Sequence, residues 1–127
     1  MKQNTHPAIS DTWVGKLESL SPNEAKASLG TREEMCADQR GLVHGGFTFG
    51  LADYAAMLAV NDPLVVLGAS ECKFLAPVRL GETMEAHAIV KSEKGKKRNV
   101  EVNVDVNSKR VFEGLFTCFV LDQHVLD

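Results

Sequence analysis

The sequence lacks the features that mark membrane, secreted and nucleic-acid-binding proteins. No apolar stretch approaches the roughly 18 to 20 residues needed to cross a bilayer, and residues 1–13 lack the apolar run of a secretory signal. The formal net charge of -3 provides no positive field to attract nucleic acid. We therefore expect a cytoplasmic protein that binds neither nucleic acid nor a membrane.

Cysteine is also scarce, and its spacing excludes two kinds of site. Cys36, Cys72 and Cys118 lie far apart and form no CxxC pair, so neither a disulfide framework nor a zinc site is indicated. We expect all three thiols to be reduced, with Cys72 and Cys118 packed inside strands.

What the chain does contain is typical of one ordinary domain. It has 127 residues, of which 44% are hydrophobic and 24% charged, and this length is sufficient for a core of its own. We expect a single domain over residues 1–127, in which residues 1–12 are frayed.

Alternating apolar residues predict five or six antiparallel strands. The clearest case is residues 99–106, where four valines at every second position alternate with polar residues. Residues 24–29 fit either a strand or a helical turn, and residues 31–34 resemble a capping box that starts one helical turn. The other predicted strands are residues 13–20, 64–75 with a bulge at Gly68, 84–90 and 111–120.

Residues 44–60, HGGFTFGLADYAAMLAV, predict one long helix that is apolar on nearly all sides. The fold class is therefore α+β: one curved antiparallel sheet whose apolar face covers this helix. Because a single sheet covers only one face, we infer that a second protomer covers the other. Asp53 is the one charged residue between Gly45 and Val60, and burying a lone carboxylate is costly unless it has a partner.

The start of this helix is a candidate oxyanion or phosphate site. The first backbone N–H groups, at Gly45 and Gly46, have no partner within the helix and carry the positive end of its dipole. The same glycines also fit a tight loop-to-helix turn with no ligand.

The spacing of Gly45 and Asp53 constrains how they act together. Eight residues of helix correspond to roughly 12 Å of rise and about 80° of rotation, so the two cannot act on one atom within one chain. If both serve one reaction centre, each of two symmetry-related protomers supplies one of them. Asp53 is then a general base or nucleophile; the alternative is a structural carboxylate held by backbone donors or paired across an interface.

Two motifs resemble those of a known family. His44-Gly45-Gly46 followed by Leu51-Ala52-Asp53 resembles the HGG-x(4)-LAD signature of hotdog-fold acyl-CoA thioesterases, in the group of the phenylacetyl-CoA and 4-hydroxybenzoyl-CoA thioesterases. The stretch from Phe74 to Pro77, with Gly81, is similar to that family's F-x-x-P-x(3)-G segment. The resemblance implies a hotdog sheet wrapped round the helix and dimers that often pair into tetramers. It also implies hydrolysis of an acyl thioester to a free acid and coenzyme A, without a metal or bound cofactor.

The resemblance further implies roles for individual residues. Asp53 is expected to be the base or nucleophile, the Gly45 N–H to polarise the thioester carbonyl, and His44 to shape the preceding loop. Many members have Asn where this chain has Asp38. The position of a hydroxyl that assists the attacking water falls on Leu67, with Ser70 the nearest candidate.

Substrate contacts are expected on both sides of this centre. The acyl group and thioester are expected to contact Asp38, Gly46, Phe47 and Tyr54. Charge-assisted bonds to the phosphates of coenzyme A are expected from Lys73, Arg79, Lys97 and Arg98. Two other functions stay open: a non-catalytic acyl-CoA-binding regulatory or scaffold protein, and a hydratase.

Overall fold

A computed structural model describes residues 1–127 as one antiparallel sheet and one long helix. The helix, α1, is Gly45–Val60, and a single 3₁₀ turn is Glu33–Met35. The strands are β1 Lys16–Ser21, β2 Glu24–Gly30, β3 Val65–Phe74, β4 Thr83–Lys94, β5 Lys97–Val106 and β6 Lys109–Val120. Their order in the sheet is β1-β2-β4-β5-β6-β3, so that β1 and β3 are the two edges.

The sheet curves around α1 and the core lies between them. The four valines of β5 are at most 4% exposed, which confirms the alternation predicted for that strand. They pack with Phe112 and Phe116 of β6 against helix residues such as Leu51 and Leu58, which are fully buried. This arrangement is the hotdog fold that the motifs predict. None of its helices has the length and apolar character needed to cross a membrane.

The strand predictions hold with two changes at their ends: β1 begins at Lys16 instead of residue 13, and β4 and β5 are longer than predicted. Residues 24–29 are a strand, which settles the choice left open by the sequence, and the β3–β6 register shifts between Leu67 and Ala69, at the predicted bulge. Strands β4 and β5 run beyond the predicted ends at residues 90 and 99, as far as Lys94 and Lys97. Only Gly95 and Lys96 lie between them, and the positive φ of Gly95 (58°) permits so tight a turn.

The predicted capping box is not formed. Arg32, not Thr31, precedes the 3₁₀ turn, and it makes no side-chain cap. The Thr31 hydroxyl instead donates to the Glu82 carbonyl at 2.6 Å and accepts from the Gly81 N–H at 2.9 Å. Thr31 thereby fastens the end of β2 to the turn before β4.

The N-terminal residues have no helix or strand, yet they lie against α1. The Asn4 N–H donates to Asn61 Oδ1 at 2.7 Å, Asn61 Nδ2 donates to the Lys2 carbonyl at 2.9 Å, and Thr5 is 4% exposed. The His6 ring lies 6.3 Å from that of Tyr54. The structure thus places this segment on the helix, where the sequence predicted a frayed end.

One stripe of the helix is less covered than the rest. Gly46 is exposed, and Phe49, Gly50 and Asp53, which follow it at helical spacing, are only partly buried. Phe49 lies over Phe116 of β6, with ring centroids 5.6 Å apart. The open stripe therefore faces the side of the sheet that ends in β3.

Candidate functional site

The start of α1 presents two free amide groups. His44 precedes the helix with extended backbone angles (φ -64°, ψ 132°), and Phe47 is the first residue whose N–H bonds back, to the His44 carbonyl at 3.1 Å. The N–H groups of Gly45 and Gly46 donate to no atom of the chain. They leave a positive, unsatisfied helix end that suits an oxyanion or a carbonyl oxygen.

A cavity of about 420 Å³ opens at this helix end. It is lined by Val43, Gly45, Thr48, Phe74, Leu75, Ala76, Pro77, Val78 and Val111. A Cβ at Gly45 would lie 3.2 Å from the Phe74 ring, so glycine allows this ring to approach the backbone closely. The F-x-x-P segment noted in the sequence is thus the wall of the cavity opposite the amides.

His44 shapes the rim of this helix end. A Cβ at Gly46 would lie 2.8 Å from the His44 ring, which covers that glycine. The ring also meets Phe47 edge-on, with centroids 6.3 Å apart. This position is compatible with the predicted role of His44 in holding the loop before the helix.

Asp53 has an unsatisfied buried oxygen. Its Oδ1 is buried and has no hydrogen-bond partner in the chain, and burial raises the pKa of this carboxyl above its usual range. Burial and the nearby Asp53 carboxylate together raise the pKa of the Cys118 thiol to about 12. Within one chain nothing satisfies this oxygen, which argues against a carboxylate held by backbone donors.

One continuous helix carries both groups, as predicted. Gly45 is its first residue and Asp53 its ninth, so roughly 12 Å of rise separates them. The cavity at Gly45 is not lined by Asp53. Within one protomer the two groups remain apart.

The bulge in β3 determines which hydroxyl faces the helix. Directly opposed residues of an antiparallel pair share a face. Leu67 lies opposite Cys118 and Ser70 opposite Phe116, and both β6 residues are buried. The extra residue at Gly68 therefore turns Ser70 to the helix side, where a regular strand would turn it outward. Ser70, the nearest hydroxyl candidate in the sequence, is thus on the helix side and is exposed in a single protomer.

Two of the expected substrate contacts are engaged within the protein. Asp38 Oδ1 accepts hydrogen bonds from the N–H groups of Arg40 (2.9 Å) and Leu42 (3.1 Å), so this carboxylate holds its own loop. Tyr54 is 5% exposed and contacts the N-terminal segment instead of the cavity at Gly45. Phe47 is half-buried beside His44.

The four expected coenzyme A cations do not meet in one protomer. Lys73 lies opposite Glu113 on the outer face of the sheet, away from the helix. Lys97 is the first residue of β5. It lies seven residues, or roughly 23 Å of strand, from Val104, and Val104 is the part of β5 closest in register to the Gly45 end of the helix. Arg98 is held by Glu93 at 2.9 Å and by the Gly95 carbonyl at 2.7 Å. Only Arg79 lies near the cavity.

This fold and this helix end define a hotdog protein of the thioesterase type. The chain belongs to the thioesterase superfamily, whose family model matches residues 40–111. The family resemblance seen in the motifs is thereby confirmed.

Three proteins similar to this chain differ in name and in length. The crystal structure of the uncharacterized protein PH1136 from Pyrococcus horikoshii is 50% identical with a TM-score of 0.99, covering 100% of this chain and 98% of that one. A protein of Aquifex aeolicus named methylthioribose-1-phosphate isomerase is 46% identical over 123 residues, 96% of this chain but 27% of that protein. Transcription factor FapR of Caldanaerobacter subterraneus is 29% identical over 114 residues, 89% of this chain and 57% of FapR. The chain thus spans only part of the curated relatives it matches.

Proposed function

We propose that this protein hydrolyses acyl-CoA thioesters to a free acid and coenzyme A. The observation that carries the proposal is the buried Asp53 oxygen without a partner, on the helix whose free amide end opens into a cavity. A desolvated carboxylate is a stronger base than one in water. Asp53 Oδ1 also accepts no hydrogen bond that would lower its basicity. Membership of the thioesterase superfamily supports the same reaction.

The proposed site is shared by two protomers. Strand β3 is a ten-residue edge whose outer side pairs with no other strand, and such an edge favours pairing with a second chain. A second copy seated there would cover the half-buried stripe of α1 that carries Asp53. Gly45 of one protomer and Asp53 of its partner then serve one reaction centre, giving two sites per dimer.

In the proposed reaction the amide end of α1 holds the thioester oxygen. The Gly45 N–H donates to the carbonyl oxygen and stabilises the negative charge that develops on it. Asp53 takes a proton from a water molecule, the resulting hydroxide attacks the carbonyl carbon, and the C–S bond breaks. The proton returns to the sulfur, which leaves as the thiol. We assign the orientation of this water to Ser70, which the bulge turns to the helix side.

A thiol-release assay over a panel of acyl-CoA thioesters tests this function. We expect Asp53→Asn to lower kcat by about 10²- to 10⁴-fold with binding retained, since it removes the base. Gly45→Pro removes one N–H at the first helical position, where proline is tolerated, and we expect a loss of about 10²- to 10³-fold.

Gly45→Ala is the matched control for that variant. It adds a Cβ beside Phe74 but keeps the N–H, so it should retain far more activity than Gly45→Pro. Equal losses in the two variants would assign the effect to steric contact with Phe74 and reject the oxyanion role. Binding without turnover by the wild type would reject hydrolysis.

That last outcome would favour a second function, acyl-CoA binding for regulation. The likeness to a transcription factor, FapR, supports this candidate. It predicts that coenzyme A thioesters bind tightly and are recovered intact. A cytoplasmic location, a dimer of dimers and the absence of a metal or bound cofactor remain predictions under either function.

A further inference from the structure

We propose that Arg40 and Arg79 form an anion subsite that binds a phosphate group of the carrier part of the thioester. This inference rests on the proposed acyl-CoA substrate and names residues that hold it. Both arginines line one groove of about 200 Å³ beside the Gly45 cavity, together with Asp38, Gly41, Leu42 and Pro77.

These are the two arginines of the chain whose side chains have no partner. Of the five arginines, Arg98 and Arg110 form ion pairs with carboxylates, and Arg32 lies 5.9 Å from the centre of the Trp13 ring. Neither Arg40 nor Arg79 takes part in any of the four ion pairs of the structure. In a protein of net charge -3, two free guanidinium groups in one groove form a local positive site.

The backbone holds the two arginines on opposite walls of the groove. The Leu80 N–H donates to the Gly41 carbonyl at 2.8 Å, and Leu42 forms a bridge with Arg79. Gly41 has a φ of 81°, which favours glycine at this turn. The loop that carries Arg40 is therefore fastened to the segment that carries Arg79 before any ligand binds.

The one carboxylate in the groove does not cancel this charge. Asp38 Oδ1 is occupied by two backbone N–H groups. Glu82 Oε1 accepts the Arg79 N–H at 2.6 Å but does not line the groove, so the lining itself holds two guanidinium groups and one carboxylate. Paired guanidinium groups of this kind suit the oxygens of a phosphate.

The groove continues the cavity where the thioester is proposed to react. Pro77 lines both spaces, and Val43 and Val78, next to the groove residues, line the cavity. A substrate with its carbonyl at Gly45 can thus extend along this wall past Pro77, which both spaces share, and reach the arginines. Lys73, Lys97 and Arg98 are not needed for this contact.

Calorimetric titration with coenzyme A and with pantetheine, which lacks the phosphates, tests the subsite. Arg40→Gln and Arg79→Gln should each weaken coenzyme A binding about 10-fold, and together about 100-fold, as expected for charge-assisted bonds. Pantetheine binding should not change. Arg110→Gln, which removes a guanidinium paired with Asp105 elsewhere, is the matched control and should bind coenzyme A like the wild type.

Several results would overturn the subsite. The first is an equal loss of affinity for coenzyme A and for pantetheine in the groove variants. The second is a loss of coenzyme A affinity in Arg110→Gln as large as in the groove variants. The third is a wild-type affinity for coenzyme A no higher than that for pantetheine. Weaker binding of succinyl-pantetheine with unchanged binding of coenzyme A would assign the arginines to an acyl carboxylate instead. Because coenzyme A is a product, the titration needs no turnover: a protein that binds it through the arginines but releases no thiol retains the subsite and loses only the hydrolase function.

Discussion

Asp53 shows how far a single residue can be interpreted from the sequence. A lone charge in an apolar helix signals either a satisfied structural group or a functional one, and the motif around it resembles that of thioesterases. Only the structure shows that Oδ1 has no donor in its own chain. Arg40 had no such signal, because an arginine in a polar loop gives no indication of its neighbours until the loop is folded against Arg79.

The raised pKa of Asp53 predicts a pH-dependent cost to folding. Well below the ordinary aspartate pKa of about 4, the carboxyl is neutral in both the folded and the unfolded chain, and it carries no ionisation penalty. As the pH rises through the raised folded pKa, ionisation costs more in the folded state, so stability is lost. Wild type should therefore lose stability relative to Asp53→Asn between pH 4 and pH 8 in urea unfolding. A difference that stays constant over that range would mean that burial does not perturb this carboxyl.

Helix α1 carries both proposed functional groups. The sequence predicts its bounds, but it does not predict the contacts at its C-terminal end. The glycines before the apolar run predicted its start at Gly45, and the end of that run predicted its stop at Val60. The sequence could not predict that Asn61 binds the N-terminal segment. That segment is polar and has no periodic pattern, so its order depends on tertiary contacts alone. The strands were predictable for the opposite reason: their alternation is local.

Substitutions at Asn61 separate its two contributions. It has left-handed backbone angles (φ 55°, ψ 41°) and bonds through its side chain to Lys2 and Asn4. Alanine loses the bonds and strains the backbone, whereas glycine loses only the bonds, so Asn61→Ala should be less stable than Asn61→Gly by about 1 kcal/mol in urea unfolding. Both should speed hydrogen exchange at the Asn4 amide. Equal stability of the two variants would show that the left-handed position carries no strain.

On the scale of the whole molecule, the helix is left partly uncovered on the side of the β3 edge. The sequence predicted that one sheet cannot cover the helix on all sides, yet the curved sheet and the N-terminal segment bury most of it. What they leave half-covered is the stripe with Gly50 and Asp53. We therefore expect a reaction centre to form only between two chains.

Mixing two inactive variants tests directly whether Gly45 and Asp53 of different chains form one site. Asp53→Asn lacks the base and Gly45→Pro lacks the amide donor, so each homodimer should be inactive. After co-refolding at equal amounts, a heterodimer has one site with an intact Gly45 from one chain and an intact Asp53 from the other. We expect the mixture to recover about a quarter of wild-type thiol release, because half of the dimers are mixed and each has one intact site. If the mixed dimers form but stay as inactive as the separate variants, the site is not shared.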